Sequence, residues 1–482
     1  MRLATLLEGI SVREMTADPE MEIGGVSYDS RAVRPGQLFV AVVGYATDGH
    51  KYIEGAVKNG ACAVLCQKKP TVDVPYILVD DSRAALADVG DNWYGHPSAE
   101  MTVIGVTGTN GKTTVTYLLK SILEKTRGAK VGLIGTIQNM IGEKPVETEH
   151  TTPESLDLHG LLREMADAGC THVVMEASSH ALYLDRTRRI RFKVGIFTNL
   201  TEDHLDFHKT MENYRKAKEI LFRNCELGVF NLDDPAAKPM MEASTCEKLT
   251  VSIGCDEADL SARNLRLKPD CVEFDAVIGS EISRFRLGIP GRFSAYNALS
   301  AVAAAHALGI TLPEAADALR VTEGVKGRVE VVPTPGKDYT VLIDYAHTPD
   351  ALENVLKSVR DFCAGRLIAV FGCGGDRDPY KRPIMGRIGA ELADFVVYTS
   401  DNPRTEDPDE ILRQVVEGAK GTKTPYIVIE NRRAAIRWAM DHAKPDDIIV
   451  LAGKGHETYQ ILGTEKTHLD EREEVAAHLR EE

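Results

Sequence analysis

The sequence lacks the long apolar segments and processing signals of exported or membrane-spanning proteins. No stretch offers the roughly 20 consecutive apolar residues that a helix needs to span a bilayer. The segment Met1–Ile23 has neither a long apolar core nor a small-residue cleavage site, and acidic residues occur early in it. We therefore predict a cytoplasmic protein that does not associate with a membrane.

Cysteine shows no pattern of disulfide or metal binding. The chain has nine cysteines, an odd number, and none belongs to a Cys-x-x-Cys array. The most closely spaced pair, Cys62 and Cys66, has no matching His or Cys pair nearby, which argues against a structural zinc site. Reduced, partly buried thiols are the expected state.

The chain also has fewer basic than acidic residues. Lys and Arg number 57 against 72 Asp and Glu, so the formal net charge is -15. An acidic chain repels a phosphate backbone, and nucleic acid is therefore not an expected partner. A small anionic substrate stays possible because a local basic pocket can outweigh a diffuse acidic surface.

The length and the order of apolar runs predict an α/β protein of about three domains. We place them at residues 1–98, 99–331 and 332–482, and expect a monomer. Short apolar runs rich in β-branched or aromatic residues predict strands buried on both faces of parallel sheets. These runs are Gln37–Val43, Ala61–Leu65, Tyr76–Val79, Thr102–Val106, His172–Met175, Val194–Phe197, Thr340–Ile343, Leu367–Phe371, Phe395–Tyr398 and Ile448–Leu451.

Polar or glycine-rich segments follow the runs of the second and third blocks. Ligands of open α/β sheets bind beyond the carboxyl ends of the strands, so the active site is expected there. A long Ala-rich helix is predicted over Ala295–Leu308.

The clearest motif is Gly105-Val-Thr-Gly108-Thr-Asn-Gly111-Lys112-Thr113-Thr114, between a predicted strand and a predicted helix. Its glycines let backbone N–H groups face phosphate oxygens at a helix N-terminus. Lys112 is then expected to contact the outer phosphates of a nucleotide, and Thr113 to offer its hydroxyl to Mg²⁺. The spacing departs from the strict GxxxxGK[ST] pattern, because Val106 occupies the place of the first glycine.

Two further polar segments follow predicted strands. Glu176 opens Glu176-Ala-Ser-Ser-His180, and a carboxylate just past a strand in a phosphate-loop domain is well placed to hold Mg²⁺. The segment Asn199-Leu-Thr-Glu-Asp-His204-Leu-Asp206 offers several more ligands, of which His204 is the favoured one.

Together with Asn297, Gly327-Arg328 and Asp344-Tyr-Ala-His347, these motifs resemble the Mur ligase family, which builds the peptide stem of bacterial peptidoglycan. The resemblance spans nearly the whole chain and all three predicted domains. The motifs occur in the family's order. It implies a UDP-sugar-binding domain, a central domain similar to P-loop ATPases and a Rossmann-like amino-acid-binding domain. The residues that carry it are Gly108–Thr114, Glu176–His180, Asn199–His204, Asn297, Gly327, Arg328 and Asp344–His347.

The resemblance implies an ATP-dependent ligase that activates a carboxylate as an acyl phosphate and captures it with an amine. The ATP contacts would come from Gly108, Thr109, Asn110, Gly111, Lys112, Thr113, Thr114, Asn297, Arg328 and Asp344. Thr113, Glu176, His204 and a carbamylated Lys218 would bind magnesium. The residue pattern alone does not separate Lys218 from Lys216, since an exposed helix lysine is the ordinary interpretation of both; the motif alignment favours Lys218.

The same resemblance implies the two other substrates. Ser30, Thr151, Thr152, Ser178 and Arg186 would contact UDP-N-acetylmuramoyl-L-alanyl-D-glutamate, with Tyr45–Thr47 in a neighbouring loop that departs from the expected residue types. Asp401-Asn-Pro-Arg404 implies the amine meso-diaminopimelate. Its contacts would be Arg377, Asp401, Asn402, Pro403, Arg404, Gly453 and Glu457.

Two other functions compete with this interpretation. A lysine-adding or folylpolyglutamate-type ligase shares the phosphate loop and the reaction, but Asp401-Asn-Pro-Arg404 speaks against it. A P-loop nucleotide-binding protein without ligase activity would not need the arginine-containing motifs of the last block.

Overall fold

The computed structural model describes residues 1–44, 47–147, 150–322 and 324–481. The chain divides into two compact units, residues 1–251 with 303–308 and residues 252–302 with 309–482. The predicted boundaries at residues 98 and 331 stay predictions. Within the described ranges, no helix combines the length and the apolar character that crossing a membrane requires.

The first unit begins with a five-stranded sheet in the order β1-β5-β4-β3-β2. Strands β2 to β5 are parallel, and β1 runs antiparallel to β5. All four residues of β4 are buried, as expected for a central strand covered on both faces. The strands are β1 Val12–Met15, β2 Gly25–Ser27, β3 Gln37–Val40, β4 Ala63–Cys66 and β5 Tyr76–Val79.

A second sheet of this unit carries the phosphate loop. Its strands lie in the order β13-β12-β11-β6-β10-β7-β8-β9, and only β8 runs antiparallel to the others. The central strand β6 has five buried residues out of six. The strands are β6 Thr102–Thr107, β7 Val131–Ile134, β8 Asn139–Ile141, β9 Lys144–Val146, β10 His172–Glu176, β11 Phe192–Phe197, β12 Cys225–Asn231 and β13 Glu247–Ser252.

The helices of the first unit pack their apolar sides against these sheets. In α4, the buried Val115, Leu118, Leu119 and Ile122 recur at helical spacing and form the inward face. Capping side chains start several helices, such as Asp81 before α3. The helices are α1 Leu3–Leu6, α2 Ile53–Lys58, α3 Ser82–Trp93, α4 Lys112–Arg127, α5 Ser155–Asp167, α6 Ser179–Tyr183, α7 Leu205–His208, α8 Met211–Arg223 and α9 Ala237–Ala243.

The second unit has an antiparallel meander and a mostly parallel six-stranded sheet. The meander is β14 Leu260–Leu267, β15 Val272–Ile278 and β16 Glu281–Leu287. The six-stranded sheet has the order β17-β18-β22-β19-β20-β21, in which only β17 is antiparallel. Its strands, with the hairpin β23–β24, are β17 Glu330–Val332, β18 Thr340–Asp344, β19 Leu367–Phe371, β20 Phe395–Tyr398, β21 Tyr426–Val428, β22 Ile448–Ala452, β23 Tyr459–Leu462 and β24 Glu465–His468.

Two apolar clusters cover the two faces of the six-stranded sheet. One packs α12 to α14 on one face, and the other packs α15 and α16 on the opposite face. The remaining helices are α10 Arg292–Ala307, which spans both units, α11 Leu312–Arg320, α12 Pro349–Arg360, α13 Lys381–Leu392, α14 Pro408–Glu417, α15 Arg432–Asp441 and α16 Glu471–Glu481.

The α/β class and the predicted buried strands are confirmed. Tyr76–Val79, Leu367–Phe371 and Phe395–Tyr398 begin and end where predicted, and the other seven runs contain strands whose ends differ by one to three residues. The predicted helix begins earlier, at Arg292, and ends at Ala307. The meander β14–β16 was not predicted; β15 alternates buried and partly exposed residues, which is the pattern of a strand covered on one face.

Gly386 tests the close packing of α13 against α14. An added Cβ would lie 1.9 Å from the carbonyl oxygen of Val415, so Gly386→Ala should cost about 1–3 kcal/mol of unfolding free energy. In α2, Gly55 has nothing within 4 Å of that position, and Gly55→Ala should instead stabilise by about 0.5–1 kcal/mol. Denaturant unfolding of both variants measures the contrast, and equal midpoints would contradict the packing described.

Candidate active site

The phosphate-loop motif has the predicted strand, loop and helix arrangement. Strand β6 ends at Thr107, and α4 begins at Lys112 after Gly111, which provides no side-chain cap. The N-terminus of a helix favours a bound anion. Gly108 has φ +147°, and an added Cβ would lie 1.9 Å from the Thr198 hydroxyl oxygen. The position therefore accepts only glycine.

The loop is locked to the segment that follows β11. Asn199 accepts a hydrogen bond from the Asn110 amide through its side chain (2.9 Å) and from the Thr109 amide through its carbonyl (2.9 Å). The Thr198 hydroxyl donates to the Asn110 carbonyl at 2.6 Å. The two motifs that the sequence separates by about 90 residues thus form one rigid platform.

Lys112 reaches back over the loop. Its Nζ donates to the carbonyl oxygens of Gly108 (2.9 Å) and Thr109 (2.8 Å). This position puts a positive charge beside the loop amides, as a phosphate-binding lysine requires.

Glu176 and Thr113, both predicted magnesium ligands, hydrogen-bond to each other. The Thr113 hydroxyl donates to Glu176 Oε1 at 2.9 Å, and Glu176, the last residue of β10, is 1% exposed. Thr136, which sequence reasoning missed, donates its hydroxyl to Oε2 (3.0 Å) and its amide to Oε1 (3.0 Å). A carboxylate and a hydroxyl at this spacing are the hard oxygen donors that Mg²⁺ prefers, usually completed by water or phosphate oxygens.

Lys218 and Lys216 have different environments. Lys218 is 1% exposed, its Nζ donates to the Gly108 carbonyl at 2.9 Å, and it lies 4.2 Å from the centre of the Tyr214 ring. Lys216 has a side chain 56% exposed and pairs with Glu212 on the surface of α8. Burial, reinforced by the nearby Lys112 charge, holds the pKa of Lys218 well below its usual value. Only Lys218 is therefore a buried amine beside the phosphate loop.

His204 lies in a cluster of aromatic and histidine rings near Lys218. It precedes α7 with φ +53°, and its ring centre is 4.8 Å from that of His180 and 6.1 Å from that of Tyr214. The buried His208 shares a hydrogen bond with the Ser179 hydroxyl at 3.0 Å. Burial lowers the pKa of His204 and that of His208, the latter to about 4, so both rings are neutral near pH 7. Neutral imidazole is the form that binds a metal.

Within the described residues, no three His, Cys, Asp or Glu side chains form a metal centre by themselves. The predicted ligands fall into two pairs, Thr113 with Glu176 and His204 with Lys218 near Tyr214.

Four of the five predicted dipeptide contacts lie around the end of β10. Arg186 donates to the Thr152 carbonyl at 3.0 Å, and Thr152 donates its hydroxyl to the Glu176 carbonyl at 2.8 Å. Thr151 shares a hydrogen bond with Thr136 at 3.1 Å. Ser178 caps α6 by accepting the Ala181 amide at 3.2 Å. Since Thr152 is 1% exposed, its side chain supports the site, and its backbone faces Arg186.

Tyr28, which follows β2, and Arg83 of α3 also contact this region. Arg83 pairs with Glu154 at 3.0 Å, Glu154 lies 3.5 Å from Arg186, and Tyr28 hydrogen-bonds Asp157 of α5. Ser30 lies in the loop after β2, where its carbonyl accepts from Asn59. Of the predicted loop Tyr45–Thr47, residues 45 and 46 lie outside the described residues, and Thr47 shares a 3.2 Å hydrogen bond with Tyr52.

The other predicted ATP contacts belong to the second unit. Asn297 is buried in α10, and the Arg328 guanidinium lies 5.4 Å from the centre of the Tyr345 ring. Asp344, at the end of β18, accepts the amides of Val329 and Ala346, both at 2.9 Å. Burial raises the pKa of Asp344. Its carboxylate therefore organises the turn beside Arg328.

The seven predicted diaminopimelate contacts lie on the three segments after β19, β20 and β22, and six of them are on the last two. Asn402 donates to Glu457 at 3.0 Å, and an added Cβ on Gly453 would lie 2.7 Å from Asp401 Oδ2. Arg404, which follows Pro403, donates to the Gly375 carbonyl at 2.8 Å. Arg377, the seventh, is exposed on the segment after β19 and donates to the Asp376 carbonyl at 3.1 Å.

Two features of this site were not predicted. Lys454 is fully buried and donates to Asn402 Oδ1 and Glu457 Oε2, both at 3.1 Å. Asp401 is 8% exposed, and its buried Oδ2 has no hydrogen-bond partner among the described residues. A buried carboxylate oxygen without a donor carries a large desolvation cost, which a cationic ligand would relieve.

Known proteins are similar to this chain in sequence and in fold over almost their whole length. Three family models match the chain: Mur ligase family, catalytic domain (residues 22–94), Mur ligase middle domain (106–305) and Mur ligase, glutamate ligase domain (327–455). The UDP-N-acetylmuramoyl-L-alanyl-D-glutamate–2,6-diaminopimelate ligase of Caldanaerobacter subterraneus is 49% identical, with 100% of this chain and 99% of that protein aligned. Its counterpart designated 1 in Clostridium acetobutylicum is 48% identical, with both chains fully aligned.

A solved structure agrees with these sequence relatives. The structure of a UDP-N-acetylmuramoyl-L-alanyl-D-glutamate–2,6-diaminopimelate ligase superposes with a TM-score of 0.75 at 31% identity, covering 100% of this chain and 99% of that one. Identity of this level over full length, with all three domain models in order, establishes the relationship. The chain belongs to the Mur ligase family.

Proposed function

We propose that this ligase uses ATP and Mg²⁺ to join meso-diaminopimelate to UDP-N-acetylmuramoyl-L-alanyl-D-glutamate in peptidoglycan precursor synthesis. The observation that carries the choice of amine is the unpartnered buried oxygen of Asp401, on the same turn as Arg404. The distal end of diaminopimelate carries both an ammonium and a carboxylate group, and this turn offers one partner to each. A cytoplasmic location and a monomeric state belong to the same proposal.

The first step is the activation of the dipeptide carboxylate. The carboxylate attacks the γ-phosphate of ATP and gives an acyl phosphate and ADP. Two unit charges 4 Å apart repel by about 1 kcal/mol in water and by about 4 kcal/mol at an effective dielectric constant near 20. Lys112 and the loop amides of Gly108–Gly111 reduce this repulsion by binding the phosphate oxygens.

Magnesium would be held by Thr113 and Glu176, and a second ion by His204 and a carbamylated Lys218. Bound Mg²⁺ supplies charge neutralisation for the transferred phosphoryl group. Thr136 orients Glu176 through both carboxylate oxygens, which fixes the direction of this ligand. In the second step, the amine of diaminopimelate attacks the acyl carbon, and the tetrahedral intermediate expels phosphate.

Carbamylation of Lys218 is chemically reasonable because its amine is buried with a lowered pKa. A neutral amine attacks carbon dioxide and loses a proton, and the product is an anionic carbamate. The change turns a neutral amine beside Lys112 into an anionic group that can bind a metal ion.

Turnover with defined amines tests the proposal directly. ADP release is measured with ATP, Mg²⁺ and UDP-N-acetylmuramoyl-L-alanyl-D-glutamate, with meso-diaminopimelate or L-lysine added separately. We expect turnover with diaminopimelate and little with lysine, which lacks the distal carboxylate. Lysine-dependent turnover would favour the lysine-adding alternative, and ATP binding without turnover would favour a nucleotide-binding protein.

Arg404→Ala tests the source of amine selectivity. Charge-assisted hydrogen bonds contribute about 1.5–3 kcal/mol, so the preference for diaminopimelate over lysine in kcat/KM should fall about ten- to a hundredfold. Arg413→Ala, an exposed arginine of α14 paired with Glu410, serves as the control and should leave selectivity unchanged. Unchanged selectivity in Arg404→Ala would refute the assignment.

Lys218→Met and Lys216→Met separate the two lysines of α8. Loss of an electrostatic group in the active site typically costs on the order of 100-fold in kcat, and we expect this only for Lys218→Met. In ¹³C-labelled bicarbonate, the protein should show a carbamate NMR signal that fades as the pH falls, because protonation removes the nucleophilic amine. A signal that survives Lys218→Met would contradict the carbamate at this residue.

A further inference from the structure

Arg382 is a buried arginine behind the two segments that carry Arg377 and Arg404. It lies in the first turn of α13 and is 1% exposed, so it does not touch a substrate. Its guanidinium donates to both carboxylate oxygens of Glu406, at 2.8 and 2.9 Å. It also donates to the Gln414 side chain at 2.8 Å and to the Gly374 carbonyl at 3.4 Å. One side chain thus contacts α14, the segment after β19 and the segment after β20.

Glu406 links Arg382 to the segment after β19 by hydrogen bonds. The amide of Asp376 donates to Glu406 Oε1, and the Asp376 carboxylate accepts the Thr405 hydroxyl at 2.8 Å and the Thr405 amide at 3.2 Å. The Gly375 amide donates to the Asn402 carbonyl at 2.9 Å. Each segment therefore donates hydrogen bonds to the other. The Arg382–Glu406 ion pair lies at the buried end of the two segments.

The backbone of both segments is held in an unfavourable conformation. Asp376 has φ +54° and Arg404 has φ +52°, in the left-handed region that non-glycine residues rarely adopt. Such residues persist where the surrounding structure over-determines them, and they cluster at ligand sites. Asp376 immediately precedes Arg377, so the strained positions are those that direct the two arginines.

The packing leaves no room for the segments to slide. An added Cβ on Gly375 would lie 1.9 Å from the Pro403 carbonyl oxygen, and one on Gly374 would lie 2.9 Å from Arg404 Nη1. Because the backbones touch here, a change in the Arg382–Glu406 pair must move both segments. A shift of about 1 Å in a substrate-positioning residue can cost on the order of 100-fold in rate.

We propose that Arg382 and Glu406 are positioning residues that hold Arg377 and Arg404 at the spacing needed to bind the distal carboxylate of the amino-acid substrate. The proposal rests on the proposed function for the identity of that substrate. Arg382 places both carboxylate oxygens of Glu406, and Glu406 places the Asp376 amide. Lysine at position 382 would keep the charge and lose the two-pronged contact.

Steady-state kinetics of Arg382→Lys and Glu406→Gln in the full-length enzyme test this role. We expect KM for meso-diaminopimelate to rise roughly tenfold or more and the preference over L-lysine to fall. KM for ATP and for the UDP-linked dipeptide should stay within about twofold, because their predicted contacts lie elsewhere. Arg387→Lys, in an exposed pair with Glu391 on the same helix, is the matched control and should behave as the parent enzyme.

Hydrogen exchange of the ligand-free protein provides a readout that does not depend on turnover. The amides of residues 375, 376 and 405 should exchange faster in both variants, while those of β19 and β20 stay protected as in the parent. If the parent enzyme does not turn over diaminopimelate, the proposed function fails, and the exchange experiment still tests the pair.

Two results would overturn the proposal. One is unchanged exchange at residues 375, 376 and 405 together with an unchanged KM for diaminopimelate. The other is a uniform rise in all three KM values with faster exchange throughout the unit, which would assign the pair to general stability. Glu406→Gln keeps an acceptor for the Asp376 amide, so it provides a folded variant if Arg382→Lys is unstable.

Discussion

The candidate site of the first unit is organised around one carbonyl oxygen that accepts hydrogen bonds from two lysines. Lys112 and Lys218 both donate to the Gly108 carbonyl at 2.9 Å, and only Lys218 is buried. Burial, reinforced by the nearby Lys112 charge, lowers the pKa of Lys218 well below its usual value and so favours its neutral amine. The rest of the site follows from that arrangement: a fixed cation at the phosphate loop beside a neutral amine that carbon dioxide can modify.

The parallel sheets explain why the chemistry lies at the ends of strands. Glu176 ends β10 and Asp344 ends β18, and each is buried because its strand is covered on both faces. A carboxylate at such a position is partly shielded from water and must find partners in the following loop. Glu176 accepts hydrogen bonds from the hydroxyls of Thr113 and Thr136, whereas Asp344 accepts them from backbone amides. The same position thus holds a carboxylate that accepts from side-chain hydroxyls in one sheet and from backbone amides in the other.

The buried strands and the phosphate loop could be predicted from the sequence, for physical reasons. Buried parallel strands show as continuous apolar runs, and a phosphate loop shows as glycines before Lys-Thr, so both are local signals. The choice of Lys218 over Lys216 came from the motif alignment, and the structure adds that Lys218 lies on the buried side of α8 whereas Lys216 is exposed. Lys454 and Arg382 were missed because a buried cation looks in sequence like a surface one until its carboxylate partner, far along the chain, is known.

Buried cations are a recurring device in the second unit. Arg432 is fully buried against Glu471 and donates to the carbonyls of Ser400 (3.3 Å) and Ala452 (2.8 Å), the residues just before Asp401 and Gly453. Lys454 likewise donates to Asn402, a predicted diaminopimelate contact, and Arg382 donates to the Gly374 carbonyl on the segment that carries Arg377. A buried ion pair seldom adds much stability over apolar packing, since desolvation offsets most of the attraction. Its directional hydrogen bonds fix loop carbonyls in a way that apolar side chains cannot, and this accounts for charge at these positions: the six-stranded sheet supplies stability, and the cations supply the geometry.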